Sequence, residues 1–484
     1  MKLFFTGLLI LVAGYFVYGS IVKKILKPDD RETPAVTDSD GVDFLVLPNW
    51  KNMLIQLLNI AGIGPVIGVI GGILFGDIVF IIIPVGCVLM GAVHDFVAGM
   101  MSMRHKGANL TELVRITTNK PMYYIFSAFL VLALLLVVAV FINVPAKLVA
   151  GLISGNGVFF WSVAGIFLYY ICATLFPVDK IIGRIYPVFG GVLLLGTAAL
   201  LISLLIFSFK DPSLLQEGAI FKSKVFTAAN NKPILPMLFV TIACGILSGF
   251  HSTQAPIVAR TIKSEKQAFG VFYGMMIVEG FIAMVWAAGA LAIYNCFPEL
   301  IGTDANGVLL RITGHFLHSG LSMVVVISVI VLAITSGDTA MRSLRLSIAE
   351  MFHLNQKPIL PRLLVMLPLI AVTAVLLIWS NSDSGSFGKL WTYFAWSNQV
   401  IAVFALLAGS IYLFSLKRPA FITVLPGMFI TFVVATYILW ISPEHGGPVG
   451  LGLDLYDAYL IAGFLSVLLF AWAKVRGSEV DLNP

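Results

Sequence analysis

The chain has 484 residues, of which 59% are hydrophobic and 11% are charged, and its formal net charge is +6. A soluble globular domain carries about 25% charged residues, so this composition excludes an ordinary soluble protein. Most of the chain is expected to face lipid or other helices. We find no nucleic-acid-binding module in the sequence and therefore expect no nucleic acid partner.

Thirteen apolar segments are long enough to cross a bilayer, which takes about 20 residues. In chain order they lie at 3–22, 53–76, 78–101, 121–145, 158–178, 185–208, 234–259, 269–295, 319–341, 359–380, 390–414, 420–441 and 454–473. The first lacks an A-x-A-like cleavage site, and Lys23, Lys24 and Lys27 follow it. We interpret it as a retained anchor rather than a cleaved signal peptide.

The distribution of basic residues predicts the orientation of these spans. Most of the 30 lysines and arginines fall on alternate connections, on the same side as the C-terminus. Positively charged connections stay in the cytoplasm. We therefore predict that the N-terminus is outside and the C-terminus inside.

Two spans are interrupted by residues that break helices. Ala61-Gly62-Ile63-Gly64-Pro65 divides the span at 53–76, and Ser248 to Pro256 divides the span at 234–259. Backbone groups freed inside a membrane are tolerated only where protein or a water-filled cavity satisfies them. Interrupted spans in corresponding positions of two halves indicate the binding site of a transporter.

The two interrupted spans each open a set of five, and the sets have opposite topology. This pattern predicts an all-α polytopic membrane protein with a LeuT-type 5+5 inverted-repeat core. We expect one membrane domain in three parts. These are an anchor helix and cytoplasmic loop (1–52), the core (53–414) and two additional helices (415–484).

The first interruption carries candidate binding residues. Proline removes a backbone donor and clashes with the preceding turn, and the freed N–H and C=O groups suit a carboxylate or a cation. We therefore predict a substrate or ion site at Ala61, Gly62, Gly64 and Pro65. For the related glycines Gly68 to Gly76, close helix packing is the simpler interpretation.

The second interruption is richer in polar side chains, which are costly in lipid and are expected to face a cavity or a partner. Hydrogen bonding between helices is the alternative. The predicted substrate-binding residues here are Phe250, His251, Ser252, Thr253 and Gln254. His251 can also titrate near neutral pH and could carry a proton.

Buried acids supply further candidates. Glu279 lies about ten residues into its span, a depth at which a carboxylate is a proton carrier or cation ligand by default, and a structural acid is the alternative. Asp95, beside His94, lies nearer the predicted cytoplasmic end of its span, as a gate or an interfacial pair. Asp338 and Arg342 have ion-pair spacing on one helix face and are predicted to be structural or gating.

Hydroxyl and amide side chains complete the predicted site. Thr335 and Ser336, with Gly62, could form a sodium site, and Asn398 and Gln399 are expected to line the substrate path. We predict no cofactor beyond the coupling ion, which is H⁺ or Na⁺, and no firm metal site.

Several strings resemble the carbon starvation protein A (CstA) family, within the amino acid–polyamine–organocation superfamily. They are Ile60 to Pro65, Gly91-Ala92-Val93-His94-Asp95-Phe96, Gly249 to Pro256, Thr335 to Ala340 with Arg342, and Trp396-Ser397-Asn398-Gln399. The resemblance implies a multi-pass protein of the bacterial cytoplasmic membrane. It also implies a proton-linked importer of pyruvate or short peptides that serves when carbon is scarce.

Secondary symport of a small carboxylate or short peptide is therefore the leading hypothesis. Sodium coupling and a transporter-like nutrient sensor are the alternatives, and the oligomeric state stays open. A channel would need a continuous polar lining or a filter ring, whereas the polar residues cluster at two interruptions. The sequence has no H-E-x-x-H, G-x-S-x-G or Walker A motif, so we expect no enzyme.

Overall fold

The structure is a computed structural model that describes residues 1–39, 44–175, 182–217, 233–354, 359–383, 385–445, 447 and 449–483. Within these ranges a helix occupies each of the thirteen predicted spans, although residues 176–178 of one span lie outside the described residues. Among the described residues, ten helices are long and apolar enough to span a membrane, and one further span is a bent helix pair. The chain is thus a multi-pass membrane protein.

We number the spans α1 to α13 in chain order. They are α1 (Lys2–Leu26), α2 (Asn49–Ile60 with Gly64–Phe75), α3 (Val79–Arg104), α4 (Lys120–Leu152), α5 (Val158–Leu175), α6 (Ile182–Lys210), α7 (Ile234–Thr241, Ala243–Ile246 and Gly249–Ala259), α8 (Glu265–Cys296), α9 (Ser319–Met351), α10 (Ile359–Ser380), α11 (Ser386–Ser415), α12 (Phe421–Trp440) and α13 (Leu455–Glu479). Shorter helices are Pro34–Thr37, Leu110–Thr117 and Ala305–Phe316.

The ends of these helices follow local chemistry. The Asn119 side chain accepts a hydrogen bond from the Met122 amide at the start of α4, and Pro121 occupies the first turn. Such a cap satisfies an amide that has no partner within the helix, and proline costs nothing there. Asp454 caps α13 in the same way through the Tyr456 amide.

Helix α2 is broken where the sequence predicts it. The half Asn49–Ile60 ends at Ala61, whose ψ of 50° is not helical, and the second half turns away by 52°. Pro65 lies in the first turn of that second half, where its missing amide hydrogen is least needed. The predicted interruption is confirmed.

Helix α7 is also broken, but not quite where the sequence predicts. Ile242 separates its first two segments, and the extended residues Leu247 and Ser248 separate the second from the third. The expected unwinding from Ser248 to Pro256 is therefore wrong beyond Ser248, because Gly249–Ala259 is a helix. The polar residues of this stretch lie on the restarted helix and not in unwound backbone.

The two broken helices pack directly against each other through glycines of α2. A Cβ at Gly64 would lie 2.0 Å from the Cβ of Cys244, and one at Gly72 would lie 2.2 Å from the Ile242 side chain. The absence of side chains lets the two backbones approach closely. Glycine packing is thus observed for Gly72, and also for Gly64, which the sequence assigns to a binding site.

The remaining helices surround this pair. The third segment of α7 packs against α2, α3 and α11, while α8 packs against both halves of α2. Helix α1 lies against α3 and α8, and α12 and α13 pack on α11 and on each other. The centre of the bundle is therefore formed by α2, α3, α7, α8 and α11.

A buried ion-pair network closes one end of the bundle, the end predicted to be cytoplasmic. Arg104 at the end of α3 makes a bidentate contact with Glu265 at the start of α8, with distances of 3.0 and 2.9 Å. The same guanidinium donates to the Tyr412 hydroxyl of α11 and to the Lys27 carbonyl after α1. Both charged side chains are 1% exposed. Four separate parts of the chain are thereby joined.

The segment that follows α1 lies across this network. The Asp29 amide donates to Glu265, and Leu45 and Leu47 donate to the backbone carbonyls of Arg260 and Thr261. A hydrogen bond from Arg31 lowers the pKa of Asp29 to about 2, so this pair stays ionised at neutral pH.

Candidate functional site

Four ionisable side chains from three helices meet in the interior, and we call them the acid–histidine cluster. Asp95 on α3 lies between two imidazoles, with its Oδ1 2.8 Å from Nδ1 of His94 and its Oδ2 3.2 Å from Nδ1 of His251. Nε2 of His251 lies 3.8 Å from Oε2 of Glu279 on α8. All four side chains are at most 1% exposed. They form one continuous series, His94–Asp95–His251–Glu279.

The cluster contains groups whose hydrogen-bonding capacity is not used. Nε2 of His94 and both carboxylate oxygens of Glu279 make no hydrogen bond to the described residues. A buried charge is costly unless it is paired, so protonation of these groups depends on their neighbours in the series. Such an arrangement can hold a proton in several alternative positions.

The sequence predicts the members of this cluster separately. His251 and Glu279 are predicted proton carriers, and the structure brings them together as a pair. Asp95, predicted with His94 to be a gate or an interfacial pair, contacts His94 and lies at the centre of the cluster, and its gating role stays a prediction. The contact between Asp95 on α3 and His251 on α7 cannot be predicted from the sequence, because it depends on how the two helices pack.

Asn398 on α11 holds the second break in place. Its Oδ1 accepts from the Phe250 amide at 2.6 Å, and its Nδ2 donates to Ser248 Oγ at 2.7 Å and approaches Cys244 Sγ at 3.3 Å. Gly249 allows this contact, since a Cβ there would lie 2.3 Å from the Asn398 carbonyl oxygen. The amide predicted to bind substrate is thus occupied in shaping α7.

The other polar residues of the second break are mostly satisfied within the protein. The hydroxyls of Ser252 and Thr253 donate to carbonyls three residues earlier, those of Gly249 and Phe250. Gln254 donates to Thr253 and, on α9, to Ser343. Hydrogen bonding between helices, the alternative for these residues, is therefore observed for Gln254, whereas Ser252 and Thr253 bond within their own helix. Oε1 of Gln254 has no partner among the described residues.

Gln399, the neighbour of Asn398, also makes a contact between helices. Its Nε2 donates to the Phe239 carbonyl of α7 at 2.8 Å, and its Oε1 has no hydrogen-bond partner in the described part of the chain. Both amides of α11 therefore contact α7, on either side of its second segment.

Aromatic rings cover the first break. A Cβ at Gly62 would lie 3.1 Å from the Phe141 ring of α4. The Phe141 ring lies 6.0 Å from that of Phe250 and 6.1 Å from that of Phe394 on α11. Ala61 and Pro65 are buried beside Gly62. Sequence reasoning missed Phe141 and Phe394, which look like ordinary apolar helix residues.

The residues of the predicted sodium site are only partly brought together. Ser336 Oγ donates to the Leu58 carbonyl at 3.3 Å and would lie 3.3 Å from a Cβ at Gly62. The Thr335 hydroxyl donates instead to Leu332 of its own helix at 2.9 Å. Oxygen atoms of α2 and α9 therefore meet near Gly62 through Ser336.

Asp338 and Arg342 do not form the ion pair that their spacing predicts. The Tyr169 hydroxyl of α5 lies 3.5 Å from Asp338 Oδ2, and Arg342 donates to the Ala173 carbonyl at 3.1 Å. Both side chains contact α5 instead of each other. The contacts with Tyr169 and the Ala173 carbonyl therefore take the place of the predicted ion pair. The gating assignment of these two residues stays a prediction.

Comparison with known proteins agrees with this architecture. A profile of the carbon starvation protein CstA matches residues 1–206, 161–312 and 294–437. The chain is 39% identical to an uncharacterised membrane protein of Haemophilus influenzae, with 61% of this chain and 92% of that protein aligned. It is 25% identical to the peptide transporter CstA of Bacillus subtilis, with 96% of each chain covered.

A third relative is the pyruvate/proton symporter BtsT of Escherichia coli, with 27% identity over 64% of this chain and 51% of that protein. This chain thus matches about half the length of that relative. Among solved structures, a manganese transporter of Eremococcus coleocola has a TM-score of 0.57 at 14% identity, covering 91% of this chain and 99% of that one. MhsT in complex with L-phenylalanine has a TM-score of 0.55 at 11% identity, covering 88% and 99%.

The structural neighbours confirm the predicted LeuT-type fold. Fold and family are those of membrane transporters and not of enzymes. The family profile extends over most of the sequence and covers both broken helices and the whole acid–histidine cluster. The chain belongs to the carbon starvation protein CstA family.

Proposed function

We propose that this protein is a proton-coupled secondary transporter that imports a small carboxylate such as pyruvate, or short peptides. The substrate would bind between the two broken helices, and the acid–histidine cluster would carry the coupled proton. Alternating access would move helices around this central site. An inward proton gradient would drive import, because each substrate molecule would enter together with a proton.

The observation that carries the proposal is the position of the cluster. His251 is on the restarted segment of α7, three residues after the extended Ser248, and Glu279 is on α8, which packs against both halves of α2. A change in the proton content of the cluster would therefore act on both breaks at once. Ionisable residues inside a membrane are a recurrent feature of proton relays in transporters.

The substrate classes come from the relatives. The Bacillus subtilis relative is named a peptide transporter, and the Escherichia coli relative is named a pyruvate/proton symporter. Both substrate types carry a carboxylate group. Backbone N–H groups at a helix break can donate hydrogen bonds to a carboxylate.

Sodium coupling is the second candidate. The observation that favours it is the contact between Ser336 Oγ and the Leu58 carbonyl beside Gly62. Hydroxyl and carbonyl oxygens are the ligands that a small hard cation prefers. This candidate would leave the acid–histidine cluster with a structural role.

Uptake into proteoliposomes tests both candidates. Labelled pyruvate and labelled dialanine would be offered separately under an imposed pH gradient, an imposed sodium gradient, and neither gradient. We expect accumulation of at least one substrate that follows the pH gradient and is abolished by a protonophore.

Accumulation that follows only the sodium gradient would identify sodium, and not the proton, as the coupling ion. Binding of either substrate in purified protein, with no flux under any gradient, would favour a sensor. The matched control is a vesicle preparation without protein, because both acids and peptides leak slowly through lipid.

A further inference from the structure

We propose that Lys147 at the end of α4 is an electrostatic recruitment residue that selects anionic carboxylates at the predicted outer face. It would draw the substrate to the start of an aromatic series that leads to the second break. The inference rests on the proposed function and deepens it, since it favours the carboxylate over the short peptide.

Lys147 lies opposite the buried ion-pair network. It is five residues before the end of α4, and its Nζ lies 3.5 Å above the ring of Phe387, in the first turn of α11. Tyr412, which contacts Arg104, is near the other end of α11. Lys147 is therefore at the opposite end of the bundle from Arg104 and Glu265.

Asp304, at the start of the Ala305–Phe316 helix, is near enough to attract the ammonium group but forms no ion pair with it. Within the described ranges, no carboxylate oxygen lies within ion-pair distance of Nζ, and the side chain is only partly exposed. A ring face attracts a cation but does not neutralise its charge. The positive charge is thus held in a defined position and stays available to a second, anionic group.

A series of aromatic rings connects this position to the site. Successive ring centroids are 6.4, 5.5, 6.1 and 6.0 Å apart along Phe387, Trp391, Phe394, Phe141 and Phe250. The last of these is the residue whose amide is held by Asn398 at the second break. The exposed fraction falls along the series, from partly exposed Phe387 and Trp391 to buried Phe394, Phe141 and Phe250.

Polar groups accompany these rings on α4. Asn143, one turn before Lys147, donates to Ser380 Oγ at 3.1 Å and accepts from Asn381 at 2.7 Å. Phe141 follows two residues deeper and lies against Gly62 of the first break. From the predicted outer face toward the first break, α4 therefore carries in turn Lys147, Asn143 and Phe141.

A fixed cation raises the local concentration of anions around it and increases their association rate. A monocarboxylate gains from this attraction over its whole approach. A zwitterionic peptide has no net charge and gains only at short range, where its carboxylate is closer than its amine. Lys147 would therefore lower the apparent KM of the anion more than that of the peptide.

The test compares K147Q with wild type in proteoliposomes. We expect the KM for pyruvate to rise roughly tenfold with little change in kcat, and the KM of the wild type, but not of K147Q, to rise with ionic strength. K147R should retain most of the effect because it keeps the charge. The matched control is K389Q, which removes an exposed lysine from the same end of α11.

The outcomes separate this inference from the proposed function. If wild-type vesicles accumulate neither pyruvate nor dialanine, the proposed function fails. If they accumulate pyruvate and K147Q has the wild-type KM and salt dependence, only the role of Lys147 is overturned. Uptake of dialanine without pyruvate would overturn it as well. A thermal unfolding midpoint for K147Q equal to that of K389Q excludes misfolding as the cause of a raised KM.

Discussion

At the scale of single residues, Asp95 organises the interior of this protein. Its two oxygens each contact an imidazole, and the second imidazole approaches Glu279. A carboxylate accepts hydrogen bonds and cannot donate them when ionised. Both histidines are therefore expected to carry their proton on Nδ1, which leaves Nε2 of His251 to exchange a proton with Glu279.

Replacing Glu279 by Gln tests this residue as the coupling group. Glutamine has nearly the same volume as glutamate, but its amide does not bind or release a proton near neutral pH. We expect uptake driven by a pH gradient to fall below about a tenth of wild type, while exchange of labelled for unlabelled substrate continues, because exchange needs no net proton movement.

The control for this variant is Glu299→Gln, an exposed acid after α8, which should leave both activities unchanged. Wild-type accumulation in E279Q would remove Glu279 from the coupling mechanism. Loss of exchange together with accumulation would indicate instead that Glu279 is required for substrate binding.

Asn398 gives a second prediction at this scale. In N398A the Phe250 amide loses its buried acceptor, which costs about 1–3 kcal/mol, and Ser248 loses its contact with α11. We expect a lower thermal unfolding midpoint and a large loss of uptake. S397A is the matched control, since the Ser397 hydroxyl donates to the Phe394 carbonyl of its own helix. Equal midpoints for the two variants would contradict the role given to Asn398.

At the scale of helices, the close contact between α2 and α7 determines the geometry of both breaks. Gly64 and Cys244 face each other so closely that any side chain at position 64 must displace the partner helix. Overpacking of this kind costs about 1–3 kcal/mol. The broken helices are therefore expected to be more sensitive to added methyl groups than the outer helices are.

G64A should be destabilised and inactive, and the second substitution C244G should restore part of the stability by removing the opposing atoms. Thermal unfolding of the single and double variants in detergent measures this coupling. Gly165 in α5 has no atom within 4 Å of its potential Cβ, so G165A is the control. Additive effects of the two core substitutions would show that positions 64 and 244 are not in close contact.

The sequence predicted the helices and the first break well, since these depend on local signals. Ala61 to Pro65 combine two glycines and a proline, and no helix continues through them unchanged. The second break was misplaced because Gly249–Ala259 is helical in spite of its polar residues, and its start is held by Asn398, 148 residues away. Glu279 and His251 were identifiable as polar groups at membrane depth, but their joint contact with Asp95 depends on the packing of three helices.

At the scale of the whole molecule, the two ends of the bundle are closed by different means. A buried ion pair and a bound chain segment close the predicted cytoplasmic end, through Arg104, Glu265 and residues 27–33. Aromatic rings cover the other side of the site. Alternating access requires the first closure to open when the substrate is released.

Removing one partner of the ion pair should favour that opening. Breaking a buried ion pair costs about 3–5 kcal/mol, so E265Q should shift the protein toward a state open at that end. We expect faster reaction of Cys244 with a maleimide added from the cytoplasmic side, measured in a background without the other three cysteines. Uptake against a gradient should decrease in parallel.

The control is D30N, which breaks the exposed ion pair between Asp30 and Lys266 only a few residues away. Exposed pairs contribute little, so its labelling rate should equal that of wild type. Equal labelling in E265Q and D30N would show that the Arg104–Glu265 pair is a structural contact and does not control access.

The ionisable groups of the acid–histidine cluster bear on how much net charge crosses the membrane with each substrate molecule. Two carboxylates and two imidazoles carry a total charge of −2 when fully deprotonated and reach zero when they hold two protons. Under the proposed coupling, a monocarboxylate that travels with one proton brings no net charge across the bilayer, whereas a zwitterionic peptide with one proton brings a positive one. Electrical recording of uptake would then distinguish the two cargoes without any change to the protein.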